Sequence, residues 1–351
     1  MAIGADPEVD HIESRQRRTV ETGANRLFVF ERRAFGIRQL TTDGTHAEAY
    51  WSPDGAKLIF QAVRPAEGDK ADQIYVFDIA TGVSKRISDG KGKTTCAYFL
   101  PDGRIVYSST KAAGPEPPPP PDKSQGYRWP LYREFDIYLL DPKTGAEKRL
   151  TDSDGYDAET TVSPDGKRLV FMSQRDGAFA LYTMNVDGTD LRKVTKKRCY
   201  TGGAFFSPDG KSLVYRSFYP EGREQEAHLD RMLEERALIP AKGGVFEIYL
   251  SDVDGGNERA VTSMRKINFA PAFLPDGKRI IFTSDAKAES RGGYNLFLIN
   301  ADGTGLEQVT RHKGFDGFPH FSPDGKKVVF ISDRNAKRPH ELNIFMADWV
   351  D

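Results

Sequence analysis

Short apolar runs alternate with clusters of Pro, Asp, Asn and Gly along most of the chain. Runs rich in Val, Ile, Phe and Tyr, such as LIF at residues 58–60 and VVF at residues 328–330, are typical of β-strands. The turn-forming clusters that bound them break the chain at short intervals. The pattern therefore predicts a protein built mainly of short strands joined by tight turns.

One tetrapeptide, Ser/Leu-Pro-Asp-Gly, recurs six times. Its copies are separated by 48, 63, 44, 67 and 48 residues, and they begin at Ser52, Leu100, Ser163, Ser207, Leu274 and Ser322. In such a phrase Pro sets φ for the first corner of a turn, Asp caps the turn backbone, and Gly supplies a positive φ. Each copy therefore predicts a hairpin turn between two strands.

Two further phrases recur after the first five of these hairpins, and the first of the two also follows the sixth. The first is a strand such as QIYVFD or NLFLIN, and the second is a short run such as KRIS, KRLT or EQVT. Each period thus contains about four short antiparallel strands, which is the content of one propeller blade. Six copies of the turn phrase predict an all-β protein, a six-bladed β-propeller of four-stranded antiparallel blades.

The end of the chain predicts how the propeller closes. LNIFMADWV supplies a third strand of the last blade, and GIRQLT at residues 36–41 matches the outer-strand phrase, so an N-terminal strand is expected to complete that blade. RLFVFERR at residues 26–33 also resembles a strand, and six blades leave no place for it. We expect an N-terminal extension at residues 1–25 and a single propeller at residues 26–351.

The longer intervals indicate insertions at about residues 111–133 and 219–244. The first contains five prolines at residues 117–121, which favour an extended polyproline segment. The second places Leu229, Met232 and Leu233 at helical spacing, which predicts a short amphipathic helix. Both insertions follow the second strand of their blade, so they are expected on the same face of the disc.

The six turn phrases resemble the WD40-like (PD40) repeats of TolB-type six-bladed β-propellers, over roughly residues 26–351. Similar repeats occur in propeller domains of prolyl-oligopeptidase-like and tricorn-like peptidases and in oligogalacturonate-lyase-like enzymes, so the resemblance implies a fold more than an activity. TolB carries an N-terminal α/β domain, whereas only about 25 residues precede the first strand here. The G-x-S-x-G elbow of the peptidases is also missing. We therefore expect a TolB-like propeller without the N-terminal domain of TolB.

Composition narrows the function classes. A chain of 351 residues is longer than most domains with a single hydrophobic core. A propeller is not subject to that limit, because each blade packs only on its neighbours. The 50 Lys and Arg residues nearly balance 51 Asp and Glu residues, which disfavours nucleic-acid binding. No apolar run approaches the roughly 18 residues that cross a bilayer, so no membrane insertion is expected. Cys96 and Cys199 lack the spacing of a zinc site.

The N-terminal residues have no apolar core and are not a signal peptide as given. The protein is therefore expected to be periplasmic or secreted if an export signal was removed, and otherwise cytoplasmic. We expect a monomer.

Candidate site residues follow from the repeat phase. The sixth, fourth and second residues before each Ser or Leu of the turn phrase share strand parity, so their side chains are expected to point to one side. Charged or imidazole side chains at these positions are His46, Glu48, Asp157, Glu159, Asp316 and His320. They could converge at the channel mouth and bind Ca²⁺ or another divalent cation, because carboxylate and imidazole are suitable ligands. The alternative is a solvated polar lining with no cofactor.

Two functions remain open from sequence. The leading hypothesis is a non-catalytic binding or scaffolding propeller that engages a protein or peptide partner at the channel mouth. Tyr127, Trp129 and Tyr132 in the first insertion are candidate anchors for that partner, although they could instead pack as a lid on their own blade. The alternative is a stand-alone propeller enzyme, a metal-dependent lyase or hydrolase acting on carbohydrate or peptide, in which a carboxylate pair shares acid and base roles. No catalytic residue is assigned.

Overall fold

The computed structural model describes residues 33–42, 44–120, 129–238, 246–289 and 292–350. These residues form six antiparallel sheets of four strands each, arranged as the blades of a propeller. The inner strand of every blade contacts the inner strands of both neighbouring blades, so the blades close into a ring around a central channel. The all-β, six-bladed architecture predicted from the repeat is confirmed.

The strands follow one another in chain order, blade by blade. The first strand is β1 (Ala34–Gln39). Blade 1 consists of β2 (Thr45–Trp51), β3 (Lys57–Val63), β4 (Gln73–Asp78) and β5 (Ser84–Arg86), and blade 3 of β11 (Asp157–Val162), β12 (Arg168–Ser173), β13 (Ala180–Asn185) and β14 (Arg192–Lys193). Blade 2 between them consists of β6 (Thr94–Phe99), β7 (Ile105–Ser109), β9 (Asp136–Leu140) and β10 (Glu147–Arg149), and the inserted strand β8 (Trp129–Pro130) precedes β9.

The second half contains the only α-helix of the described residues. Blade 4 consists of β15 (Tyr200–Phe206), β16 (Ser212–Phe218), β18 (Glu247–Asp252) and β19 (Arg259–Ala260), and its insertion contains α1 (Arg223–Glu235) and β17 (Ala237–Leu238). Blade 5 consists of β20 (Asn268–Phe273), β21 (Arg279–Ser284), β22 (Asn295–Asn300) and β23 (Glu307–Gln308). Blade 6 contains β24 (Asp316–Phe321), β25 (Lys327–Ser332) and β26 (Asn343–Trp349).

The recurring turn phrase forms the hairpin between the first and second strands of each blade. In blade 1 the Ser52 hydroxyl donates to the Asp54 carboxylate at 2.6 Å, and the same hydroxyl accepts from the Lys57 N–H at 2.9 Å. Gly55 takes φ +69°, the conformation for which glycine is favoured. The predicted turn chemistry is confirmed.

Each blade also has a stacked aromatic pair between its second and third strands, with ring centroids 5.8–6.2 Å apart. The pairs are Phe60–Tyr75, Tyr107–Tyr138, Phe171–Tyr182, Tyr215–Tyr249, Phe282–Phe297 and Phe330–Phe345. Aromatic pairs of this kind add to the burial that holds neighbouring strands together. They explain why aromatic residues recur at one phase of the repeat.

Strand β1 completes blade 6 by pairing antiparallel with β26, with Ala34 opposite Trp349. Blade 6 therefore has the order β1-β26-β25-β24 and joins the two ends of the described chain. The predicted closure by the segment at residues 36–41 is confirmed. The unplaced strand-like phrase at residues 26–33 lies almost entirely outside the described residues.

The two insertions meet on one face of the disc. Both connect the second and third strands of their blades, and β8 pairs with β17 so that Leu238 lies opposite Trp129. Helix α1 forms where predicted and buries Leu229 and Met232. We call β8, α1 and β17, with the described residues that connect them, the cap, and the face that carries it the insertion face. The opposite face, which carries the Ser/Leu-Pro-Asp-Gly turns, is the turn face.

Every inner strand contains a β-bulge, which alters the alternation assumed from the sequence. In blade 1 Ala47 pairs with Gln61 and Tyr50 with Ile59, so Glu48 and Ala49 together oppose one residue of β3. The residue at the start of the bulge has φ between 48° and 62° in all six blades, a left-handed conformation that is uncommon for non-glycine residues. The assumption that the sixth, fourth and second residues before the turn share one side is therefore wrong, because the bulge inserts one residue between them.

Among the described residues no helix is long and apolar enough to cross a membrane.

Candidate functional site

The six bulge residues form one level of the channel. They are Glu48, Cys96, Glu159, Gly203, Ala270 and Phe318, one from each blade. Three of them, Glu48, Cys96 and Glu159, interact with one another although they come from three different blades. Because the repeat leaves the residue type at this position variable, this level differs from blade to blade in charge and size.

A polar cluster, defined as Glu48, Cys96, Glu159 and Arg216, occupies the side of blades 1 to 4. The Arg216 Nη2 donates to Glu159 Oε1 at 2.8 Å and to the Tyr200 hydroxyl at 3.2 Å. Both charged side chains are 11% exposed. A Cβ on Gly203 would lie 2.4 Å from Arg216 Nη1, so the glycine of blade 4 provides the space that lets the guanidinium reach blade 3.

Glu48 lies beside this ion pair without an arginine of its own among the described residues. Burial is the largest influence on its carboxyl group and raises its pKa from 4.5 to about 7; the nearby Glu159 carboxylate also raises it, whereas a hydrogen bond with the Cys96 thiol and the Arg216 charge lower it. The carboxyl group thus changes charge near neutral pH. Burial, followed by Glu48 and Glu159, raises the pKa of the Cys96 thiol well above its usual value, so the thiol stays protonated.

One acceptor atom of the polar cluster has no donor. Glu159 Oε2 is buried and accepts no hydrogen bond from any residue that the structure describes. A buried carboxylate oxygen without a donor is costly, typically by about 1–3 kcal/mol. The polar cluster can therefore accept hydrogen bonds and positive charge from a ligand.

A central aromatic cluster closes the channel nearer the turn face. It comprises Tyr50, Tyr98, Phe205 and His320, from four different blades, with ring centroids 5.2–6.1 Å apart. Burial lowers the pKa of His320 from 6.5 to about 4, so the imidazole is neutral at neutral pH. Its Nε2 lies 3.4 Å from the Tyr98 hydroxyl. His320 is therefore part of an apolar closure of the channel.

A second aromatic group lies on the side of blades 5 and 6. Phe269, Tyr294, Phe315 and Phe318 contact one another with centroids 5.4–6.2 Å apart, and each remains half-buried. We call this group the aromatic wall. Phe318 is the bulge residue of blade 6, whose inner strand β24 contacts β2, the strand that carries the bulge residue Glu48 of the polar cluster.

The cap covers the insertion face above blades 3 and 4. Leu131, Leu229, Met232 and Ala237 of the two insertions pack in one buried cluster with Tyr156 and Tyr200, the residues that begin or precede the inner strands of these blades. Tyr200 in turn contacts Arg216. The cap is also held to the blades by ion pairs from Arg198 to Glu226, at 2.8 Å, and to Asp230. Among the described residues, the cap thus covers only the side of the channel mouth that belongs to blades 3 and 4.

The predicted anchors of the first insertion have mixed placements. Trp129 lies in β8 and is half-buried against the cap core. Tyr132 is also half-buried, and its hydroxyl donates to the Pro119 carbonyl at 2.7 Å. Both therefore contribute packing within the cap while keeping part of their surface accessible. Tyr127 lies outside the described residues.

Of the six residues predicted for the channel, the structure brings only Glu48 and Glu159 into one cluster. His46 is fully buried between blades, with its Nδ1 3.0 Å from the Leu342 carbonyl and its ring against Phe60. Asp157 accepts from Arg175 at 3.0 Å and from Ser153, and Asp316 accepts from Arg334 at 2.6 Å and from Ser332.

These placements bear on the metal hypothesis. No group of three or more His, Cys, Asp or Glu side chains in the described part of the chain is arranged to hold a metal ion. A divalent cation in the channel stays a prediction without an assembled set of ligands.

Sequence reasoning missed Arg175, Arg334, Arg216 and the aromatic wall. The first two had a signal, because Asp at the sixth position occurs together with a Ser-x-Arg phrase after the second strand in blades 3 and 6. Arg216 had a weaker sequence signal, the two adjacent glycines Gly202 and Gly203 at the bulge of blade 4. The aromatic wall had none, since its members come from different elements of two blades.

Comparisons with known proteins agree with the architecture. The sequence pattern of the family described as PD40, TolB beta propeller domain, matches residues 132–232 and 234–340. The Protein TolB homolog of Chlorobium luteolum is 31% identical over 140 residues, which cover 34% of this chain and 32% of that protein. The Uncharacterized peptidase YuxL of Bacillus subtilis is 28% identical over 165 residues, which cover 42% of this chain and 25% of that protein. The matches thus span about a third or less of these relatives.

A solved structure extends the similarity to the whole disc. The structure of a putative TolB from Agrobacterium tumefaciens matches with a TM-score of 0.57 and 19% identity, covering 92% of this chain and 99% of that one. At that identity the likeness concerns the fold alone.

Proposed function

Because the chain belongs to the TolB β-propeller (PD40) family, we propose that it is a non-catalytic binding module that engages a segment of a protein partner at the channel mouth on its insertion face. The family includes proteins named as TolB and as a peptidase, so family membership alone leaves the role open. The geometry of the channel mouth is what supports a binding role.

The observation that carries the proposal is the roofed mouth. Two insertions that are far apart in sequence pair through β8 and β17 and pack on Tyr200, which contacts the polar cluster. Opposite them the half-buried aromatic wall is left uncovered by the cap. A rigid ring whose described residues cover one side of the mouth offers a defined entrance beside the cap for an extended segment.

The interior of the channel also favours recognition. The central aromatic cluster closes it toward the turn face, so a ligand would enter from the insertion face. The buried oxygen of Glu159 supplies polar specificity, and the aromatic wall supplies apolar area, which is the usual division of labour in a binding site.

Site-specific photo-crosslinking tests the proposal. A benzophenone amino acid at Trp129 or Lys313, both on the insertion face, should give an adduct with the same partner in living cells, identified by mass spectrometry. Val83, which is 63% exposed in a turn-face loop, serves as the matched control. Equal adducts at Val83, or none at the insertion face, would contradict the proposal.

A stand-alone enzyme is the second candidate, and one observation favours it. The Glu48 carboxyl group, with a pKa of about 7, lies near the Glu159 carboxylate, and a carboxyl group that titrates near neutral pH suits acid or base roles. Turnover of peptide or oligosaccharide substrates that is lost in Glu48→Gln with folding unchanged would support the enzyme and overturn the binding module.

A periplasmic or secreted location belongs to the same proposal, by analogy with the TolB relatives. Fractionation of the native host with an antibody to the protein checks it, since a cytoplasmic pool alone would contradict it.

A further inference from the structure

We propose that the partner segment binds through a lysine side chain, whose ammonium group enters the polar cluster between Glu48 and Glu159 and whose methylene stem lies along the aromatic wall. The inference rests on the proposed function and deepens it, because it names the chemistry that the channel mouth recognises.

The charge of the polar cluster is the first support. The cluster contains the Glu48 and Glu159 carboxyl groups but one cation, Arg216, and that guanidinium is already engaged by Glu159 Oε1 and Tyr200. A ligand cation would balance the second carboxylate. It would also supply the charge that favours ionisation of Glu48, which the buried site now disfavours.

The unmet hydrogen-bonding capacity is the second support, and it is independent of charge. Glu159 Oε2 is a buried acceptor to which no described residue donates a hydrogen bond. An ammonium group carries three donors and no acceptor. It can therefore satisfy this oxygen and the carboxyl group of Glu48 together, whereas a neutral amide would bring an acceptor into an acceptor-rich site.

The shape of the bulge level is the third support. Ala270 places a small side chain in blade 5, between the polar cluster and Phe318 of the aromatic wall, whereas Arg216 takes the space at Gly203 in blade 4. A lysine side chain has an apolar stem that packs on apolar surface while its charged end reaches polar groups. The adjacent aromatic rings and carboxylates match these two parts of the side chain.

Lysine fits better than arginine for a geometric reason. A guanidinium is a planar fork that needs room for five donors, and Arg216 already occupies that role beside Glu159. A compact ammonium reaches the remaining oxygen without displacing it. The free α-amino group of a partner has the same chemistry but lacks the stem that would use the aromatic wall, and the test separates the two sources.

The experiment selects ligands and then edits them. Random dodecapeptides are selected on the intact wild-type protein by messenger-RNA display, and each enriched peptide is synthesised with a free and with an acetylated N-terminus for calorimetric titration. We expect enrichment of a lysine next to apolar residues. Replacing that lysine by norleucine or acetyl-lysine should weaken binding roughly tenfold or more, the effect expected for hydrogen bonds to a charged group.

Variants of the protein locate the effect. Glu159→Gln should abolish the preference for lysine over norleucine, but it also leaves Arg216 without its partner. Glu48→Gln breaks no ion pair and provides the second test, with melting temperature as the folding check. The matched control is the double variant Asp187→Asn/Asp302→Asn, which removes two carboxylates from turn-face loops and should leave binding unchanged.

The outcomes separate this inference from the proposed function. Peptides that bind at the mouth equally well with norleucine would overturn the lysine proposal and leave the binding module intact. Lysine-dependent binding that ignores both glutamate variants would overturn the assigned site. Binding that requires a free α-amino group and no lysine would assign the ammonium to a chain end and overturn the proposal. No enriched peptide at all would contradict both.

Discussion

Blades 3 and 6 carry the same buried ion pair and differ two residues later. Asp157 is held by Arg175 in blade 3 and Asp316 by Arg334 in blade 6, and both carboxylates are fully buried. At the following bulge position blade 3 has Glu159, whereas blade 6 has Phe318. The shared pair ties the loop after the second strand to the start of the inner strand, and the differing residue faces the channel.

A charged residue that recurs at one phase of the repeat is therefore not evidence of a site. Asp157 and Asp316 look like ligands in sequence, yet each has its partners within its own blade. The residues that give the channel mouth its chemistry are those at which the blades disagree. Positions that are the same in both blades stabilise the fold, whereas the bulge position, at which they differ, lies at the channel.

The largest loss of stability is expected when the buried ion pair of blade 3 or blade 6 is broken. Arg175→Ala and Arg334→Ala each leave a buried carboxylate without its cation, and each should lower the free energy of unfolding by about 3–5 kcal/mol. Urea denaturation monitored by tryptophan fluorescence measures both. The two losses should be similar in size, because each arginine binds a fully buried carboxylate that also accepts from a serine hydroxyl.

The control for that prediction replaces both partners. Asp157→Leu with Arg175→Met removes the pair and leaves no buried charge, so most of the stability should return. A loss below about 1 kcal/mol in either single variant would show that the pairs are dispensable.

The next effect separates the two levels of the channel by pH. The folded-state pKa of Glu48 is about 7 against 4.5 in the unfolded chain, so its contribution to stability is full below 4.5 and is lost as the pH rises through 7. His320 behaves in the opposite way: its pKa of about 4 against 6.5 gives stability that is full above 6.5 and is lost as the pH falls through 4.

Single variants should therefore tilt the stability profile in opposite directions. Relative to wild type, Glu48→Gln should gain about 3 kcal/mol between pH 4.5 and 7, and His320→Phe should lose about as much over the same interval. Chemical denaturation at several pH values measures both slopes. Parallel profiles for the two variants and wild type would contradict the burial of these groups.

Blades 4 and 5 differ by a single methyl group at the bulge position. Gly203 and Ala270 occupy equivalent bulge positions with φ of 62° and 48°, so a Cβ is tolerated by the backbone in blade 5. Gly203→Ala should nevertheless cost about 1–3 kcal/mol, since its Cβ would displace Arg216 from Glu159. A melting temperature equal to wild type would show that Arg216 moves freely; Ala270→Gly is the reciprocal control.

The smallest effect is expected at an exposed ion pair. Lys70 and Glu116 are 2.8 Å apart and both side chains are mostly exposed, so Glu116→Gln should change the free energy of unfolding by less than about 1 kcal/mol. Thermal unfolding at low and high salt checks this. A change comparable to that of Arg175→Ala would remove the distinction between buried and exposed pairs.

Most of the fold could be predicted from the sequence because each structural device is local. The turn phrase, the strand phrases and the helical spacing of Leu229 and Met232 specify their elements within a few residues. The outer-strand phrase at residues 36–41 also specified the closing strand, since it repeats a pattern whose place in the blade was known from the other copies.

The candidate site could be predicted only in part. Glu48 and Glu159 were identified by repeat phase, but strand alternation suggested that His46, Asp157, Asp316 and His320 would join them. The bulge reverses that expectation, and it depends on backbone conformations that residues as different as Glu, Cys, Ala and Phe adopt here. Residue type therefore carried no signal for it.

The sequence was enough to specify a six-bladed propeller of the TolB type with two insertions, because the same turn phrase and its flanking strand phrases occur in six copies. The tertiary structure decided which polar residues meet. The pairing of β8 with β17, the reach of Arg216 past Gly203 to Glu159, and the aromatic wall all join residues that are distant in sequence. Such contacts are set by the closure of the ring, which brings unlike positions of different blades to one axis.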